Sequence, residues 1–324
     1  MFLVPGISVT FQRKEHALIL KIYDEGSKLL AQRERIKLNN LVEKTTQWLN
    51  APAAAFPKLA KPDVQFYLIY LQIEDSLYHD EIEKAKMLLD TMDGIIPHTS
   101  DRNYFEISKM IPALHYTVRA TPYLKEDFVN SALRAVRVSE QLLKGRTAGW
   151  INMCVGLYRA RKLWETDQSE NPETFKILED ECHNCFNHAL EDFSAEEGID
   201  GPHGYNNTSI RKALLHLSCD SVTMRNIPSS FEDIKAAENL LHKVENSDYG
   251  VPGLLEPYYK LALSDLCYRQ RRYERSRQYA HAAQDIAHRN KMTELEARAK
   301  KRLEHLQQFC GASESDELND ILKG

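Results

Sequence analysis

Apolar residues return at helical spacing along nearly the whole chain. Val64, Tyr67, Leu71 and Tyr78 stand three, four and seven residues apart, and Ile69, Ile73 and Leu77 widen the same face, so this helix is expected to be packed on more than one side. Leu18, Ile22 and Leu29-Leu30 repeat the pattern nearer the start, and strand-like alternation is not sustained anywhere. Thr121-Pro122 and Asn171-Pro172 each read as a capping side chain followed by proline at the first helical position. Ser230 with Asp233 reads as a weak relative of the capping box, and Thr293 with Glu296 as a proper one. The pattern predicts helices over about 13–33, 36–49, 62–78, 80–95, 101–120, 123–145, 147–166, 172–194, 206–225, 230–245, 254–270, 272–290 and 292–309. Pro112 is expected to kink or divide the fifth of these, and Gly201-Pro202-His203-Gly204 reads as a turn in the loop before Asn206.

Within this pattern a finer one repeats. An apolar residue is followed by a small one and then by two mostly apolar ones in Ile82-Ala85-Leu89-Met92, Phe128-Ser131-Ala135-Val138, Ile234-Ala237-Leu241-Val244 and Tyr273-Ser276-Ala280-Ala283. Cys182-Phe186-Ala189 keeps the last three positions. A small residue lets a neighbouring helix approach closely, and the larger ones fill the space towards the next pair.

These residues resemble the tetratricopeptide repeat family, which places a small residue, an aromatic and an alanine at this spacing in the second helix of each pair. The match is best over 257–290: Leu263-Ser264 stand where the family has Leu-Gly, and Tyr273, Ser276, Tyr279 and Ala283 fit the second helix. Trp150 is a candidate for the family's first-helix tryptophan. The small residues are 46, 51, 55 and 39 positions apart rather than the family's roughly 34, and most repeats lack the closing proline. The resemblance implies an all-α fold, a right-handed α-α superhelix of about six antiparallel helix pairs. A solenoid over 13–309 would lie between a short N-terminal segment, 1–12, and an acidic flexible tail, 310–324. An irregular helical bundle is the competing architecture.

Composition agrees with a folded helical chain, with 43% hydrophobic and 27% charged residues and only 13 Gly and 12 Pro among 324. The six cysteines are too sparse for a disulfide framework and mostly occupy apolar positions, so they are read as reduced thiols in a cytoplasmic protein. No apolar stretch has membrane-spanning length, and Met1 to Phe11 lacks the basic start and apolar run of a signal peptide. Charge is unevenly placed. Segment 268–302 holds eleven Arg and Lys against four Asp and Glu, a net +7; the whole chain carries −5, which leaves −12 for the rest. Tyr268, Tyr273 and Tyr279 interleave with these arginines. The segment reads as a solvated helix face, as a receiver of an acidic peptide, or as a contact for an RNA backbone.

Phosphate-binding glycine loops, His-Glu-x-x-His and Gly-x-Ser-x-Gly are absent, which lowers the case for an enzyme. Cys182, Cys185 and His188 fall along one side of a helix at three-residue steps, and zinc accepts both ligand types. Cys182 and Cys185 also fit the buried stripe with Phe186, no fourth ligand is evident, and core cysteines are the preferred reading; no metal and no cofactor are expected. First helices line the concave surface in the family resembled, which makes Asn152, Arg159, Asn207, Arg211, Tyr258, Tyr259 and Arg269 candidate partner contacts. Arg272, entering the next turn, joins them. The function expected is a non-catalytic protein-interaction module or scaffold that takes a peptide or protein segment, an acidic one among the options, in the solenoid groove. An RNA-binding helical repeat using 268–302 is the alternative, and an enzyme ranks third.

Overall fold

A computed structural model describes residues 9–51, 61–120, 146–196, 200–219, 228–251 and 253–321. The predicted helix over 123–145, with Thr121-Pro122, Phe128, Ser131, Ala135 and Val138, lies outside them. The described elements are twelve helices and one short 3-10 turn, and the chain divides into two compact units, 1–123 and 124–324.

The first unit holds α1 (Val9–Ala31), α2 (Arg35–Asn50), α3 (Lys61–Tyr78), α4 (Ile82–Ile95) with the 3-10 turn Ile96–His98, and α5 (Arg102–Ala120). Helix α5 runs unbroken through Pro112. The second unit holds α6 (Arg146–Glu165), α7 (Pro172–Ser194), α8 (Asp200–His216), α9 (Phe231–Glu245), α10 (Glu256–Arg269), α11 (Tyr273–Arg289) and α12 (Thr293–Ile321). Consecutive helices pack together, and alternate helices also touch: α1 with α3, α3 with α5, α6 with α8, α8 with α10 and α10 with α12. That arrangement is a helical repeat, in which each element is packed mainly by its sequence neighbours.

The packing explains two kinds of sequence. Helix α3 meets α1, α2, α4 and α5, and buries residues all round, from Val64 and Phe66 to Ile73 and Leu77. Helix α10 does the same among α8, α9, α11 and α12. Helices α4, α9 and α11 bury a single stripe. Each of the small positions that falls in the described residues, Ala85, Cys182, Ala237 and Ser276, is 0% exposed.

One turn recurs. Arg33, Asp80, Arg271 and Lys291 have φ of 59°, 57°, 58° and 55°, and each sits between two consecutive helices. The next residue donates its N–H back across the helix end: Glu34 to Leu29 at 2.9 Å, Glu81 to Ser76 at 2.8 Å, Arg272 to Cys267 at 2.8 Å and Met292 to Ala287 at 2.9 Å. This closes the orphan carbonyls in the manner usually given to glycine. After three of these turns the buried residues follow in one register, five, nine, twelve and sixteen positions on. They are Leu38, Val42, Thr45 and Leu49; Ala85, Leu89, Met92 and Ile96; and Ser276, Ala280, Ala283 and Ala287. Helix α2 therefore belongs to the repeat, although its residue at the small position is a leucine.

Three readings of local sequence change. Gly201-Pro202-His203-Gly204 is the first turn of α8, not a loop. Proline is tolerated there, and the glycines are needed for packing: a Cβ on Gly204 would lie 2.3 Å from the Phe193 ring, and one on Gly201 2.5 Å from the Glu196 carbonyl oxygen. Phe193 is enclosed from α6 as well, where a Cβ on Gly149 would come within 2.9 Å of it. Asn171 precedes α7 without a capping bond from its side chain, whereas Ser230 Oγ accepts from Asp233 N at 3.0 Å and caps α9 as the spacing indicates. Helix α12 starts at Thr293 and reaches Ile321, beyond the predicted end at 309 and into the expected tail. No proline intervenes there, and the single Gly311 costs a helix only about 1 kcal/mol.

Candidate functional site

The second unit brings several candidate residues together on the alternate helices α8 and α10. His203, Asn207 and Arg211 follow one another at four-residue steps on α8, so they share a face. The Arg211 guanidinium carbon lies 3.8 Å from the centre of the Tyr258 ring on α10, a close cation–π contact. Arg211 Nε and the Asn207 Oδ1, one turn earlier, are buried without a hydrogen-bond partner. Asn206 is engaged, donating to Gly250 O at 2.9 Å. Tyr258 and Tyr259 are both 4% exposed. Burial, then Glu245 and Tyr279, pushes the Tyr259 phenol up to about 12.

Other candidates are occupied elsewhere. Asn152 donates to Asp192 at 3.3 Å and Arg159 pairs with Glu181 at 3.0 Å, so both tie α6 to α7. Arg269 Nε donates to Leu217 O at 2.8 Å and its Nη2 to Ser218 O at 3.3 Å. It serves the open carbonyls at the end of α8, a general use of arginine at helix C-termini. Arg272 is exposed in the turn before α11. Neutralising Arg269 therefore removes contacts that tie α10 to the end of α8, whereas Arg272 makes no such contact among the described residues. Within the basic segment Arg302 is also internal, 1% exposed and bonded through Nε and Nη2 to the two oxygens of Asp265 at 2.7 and 2.6 Å. The outward charge of 268–302 is thus smaller than its sequence suggests.

Cys182 is 0% exposed in the α7 stripe with Phe186 and Ala189, and burial raises its thiol above the ordinary range. Cys185 is half-buried, and His188 faces outward with Glu191 at 3.7 Å. Among the described residues no group of three His, Cys, Asp or Glu side chains is placed to hold a metal ion. Nor is any helix among them long and apolar enough to cross a membrane.

Two clusters had no single sequence motif to announce them. The rings of His183 on α7 and His216 on α8 lie 4.7 Å apart, and His216 Nδ1 is 2.9 Å from Asp233 Oδ1 at the start of α9. Lys212 reaches from α8 to Asn187 on α7. Burial, with help from His216 and Lys212, lowers the His183 imidazole to about 4; burial also lowers His216 against the pull of Asp233. The second cluster joins Lys260 on α10 with Arg275 and Tyr279 on α11. Its only signal in the sequence was the four-residue step from Arg275 to Tyr279. No family model matches the chain, and no curated protein and no solved structure matches it.

Proposed function

We propose that the chain is a non-catalytic protein-interaction module or scaffold, a tetratricopeptide-like right-handed superhelix of about six helix pairs that holds a peptide or protein segment against its inner helices. The contact of Arg211 with Tyr258 at 3.8 Å, across two successive inner helices, carries this reading. The sequence marked both as first-helix contacts, together with Asn207 beside them. A guanidinium held against an aromatic ring is pre-organised, so little side-chain entropy remains to be lost when it binds a partner's carboxylate or carbonyl. The unpaired acceptor of Asn207 is a buried polar cost of the kind that clusters at working surfaces.

The test compares proteins recovered on the full chain with those recovered on Arg211→Gln, after denaturation midpoints establish that both are folded. The expected outcome is a specific partner set that falls by about tenfold with the variant, the size of one charge-assisted contact. An unchanged set on a folded Arg211→Gln protein would remove the groove from the proposal.

A further inference from the structure

We propose that Lys260, Arg275 and Tyr279 form a second acceptor site, one for the carboxylates of an acidic segment in another protein. It does not use Arg211, Asn207 or Tyr258 and does not depend on the groove reading. Lys260 Nζ lies 5.8 Å from the centre of the Tyr279 ring and 5.9 Å from that of Tyr259. Arg275 Cζ lies 5.8 Å from the same Tyr279 ring, with its Nη2 3.5 Å from the phenol oxygen. Two cations are therefore gathered on one ring, and among the described residues neither makes an ion pair. The acid that bears on Arg275 and Tyr259, Glu245 at the end of α9, is exposed and pairs with neither cation.

Elsewhere three cations held against other helices have acids, whereas Arg211 rests on a ring, Arg269 on carbonyls and Lys212 on an amide. Arg35 has Asp75 and Glu81, Arg159 has Glu181, and Arg302 has Asp265. An incoming carboxylate gains the Arg275 guanidinium fork and the Lys260 ammonium, both within 5.8 Å of the Tyr279 ring centre. Arg271 and Arg272, exposed in the turn just before α11, extend the positive field towards the same helix.

The ring and the charge choose between acidic partners. Bases of a single strand need an open aromatic face to stack on, and Tyr279 already carries two cations. A long polyanion also meets the −12 of the chain outside 268–302, whereas a short acidic segment need not.

The experiment measures fluorescence anisotropy of fluorescein-labelled hexaglutamate with the full chain at low salt. Lys260→Gln with Arg275→Gln is expected to weaken binding by about tenfold or more. Lys260→Arg with Arg275→Lys keeps the charge and is expected to retain most of the binding, which excludes simple misfolding. Lys300→Gln with Lys301→Gln, exposed on α12, is expected to leave it within about twofold. Loss of binding as large in the Lys300/Lys301 variant would make the effect diffuse charge and overturn the site. Loss confined to Arg211→Gln would overturn it while leaving the groove reading intact, and a hexathymidylate that binds more tightly than hexaglutamate would also overturn it.

Discussion

The hairpins α3–α4 and α10–α11 are the same object built from different side chains. Both turn through a non-glycine residue of positive φ, Asp80 or Arg271, and both bury the fifth, ninth, twelfth and sixteenth residues after it. In α4 those residues are Ala85, Leu89, Met92 and Ile96; in α11 they are Ser276, Ala280, Ala283 and Ala287. The first hairpin is held by bulk. In the second the α11 stripe has little bulk, and hydrogen bonds join it to α10: Ser264 Oγ donates to Ser276 O at 2.9 Å and Ser276 Oγ to Ser264 O at 2.8 Å. The charges differ in the same sense. Lys84 on α4 is answered by Glu81 at 3.0 Å, and Asp75 on α3 answers Arg35 of α2 at 2.9 Å, while among the described residues Lys260 and Arg275 make no ion pair. Turn and register define the scaffold, and the side chains outside them are left to differ.

The sharpest way to break this comparison is to remove one side of the buried ion pair behind α10. Arg302→Met leaves Asp265 charged, buried and unpaired, and should cost about 3–5 kcal/mol by urea denaturation. Exchanging bulk at the matched ninth position comes next. Leu89→Ala should cost about 2–5 kcal/mol through a cavity, and Ala280→Leu about 1–3 kcal/mol through overpacking, so the reverse substitutions destabilise both hairpins. If Ala280→Leu is neutral, α11 does not lie as close to its neighbours as the structure has it.

Acid should act on the second unit through α7, α8 and α9. Both His183 and His216 have folded pKa values below the ordinary 6.5, so folding favours their neutral forms. Their contribution is complete above about pH 6.5 and declines as pH falls through that value towards the folded pKa, near 4 for His183. With Lys212 beside them and Asp233 as the acid in contact, stability should drop by roughly 1 kcal/mol between pH 7 and 5 once solvent screening is allowed for. His183→Gln should flatten that part of the curve. The smallest effect is at the turn. Arg271→Gly removes a left-handed cost of about 1–2 kcal/mol and adds about 0.5–1 kcal/mol of unfolded-chain entropy, for a net gain near 0.5 kcal/mol in the denaturation midpoint. Asp80→Gly should gain less, because Asp tolerates that conformation better.

Much of this architecture was legible before any coordinates. Helix α7 was placed at both ends, and most other described helices within about three residues, because apolar period and polar interruptions are local properties. Neither bound of α8 was: it ends at His216 rather than 225, and Gly201 to Gly204 at its start carries turn chemistry, so only the approach of Phe193 reveals why those glycines sit in a helix. The turns themselves were marked by no glycine. Arg33, Asp80, Arg271 and Lys291 adopt the left-handed conformation because the helices on either side impose it. At the candidate sites, Arg211 and Tyr258 were legible as first-helix positions. The duty of Arg269 was not: its acceptors are backbone carbonyls that every residue has, exposed only because α8 ends at that place. Arg302 likewise looked like one more charge in a basic run until Asp265 stood opposite it.

The contacts between alternate inner helices have a consequence for the timing of local opening. Among the described residues helix α10 is covered by four other helices of its unit, whereas α12 packs mainly on α11 and, less, on α10. Amide protons of α12 can therefore exchange with solvent when that one helix lifts, while those of α10 wait until α11 and α12 have both come away. Hydrogen exchange should accordingly proceed inward from α12, with α11 intermediate and the central turns of α10 among the last amides of the second unit to be replaced by deuterium.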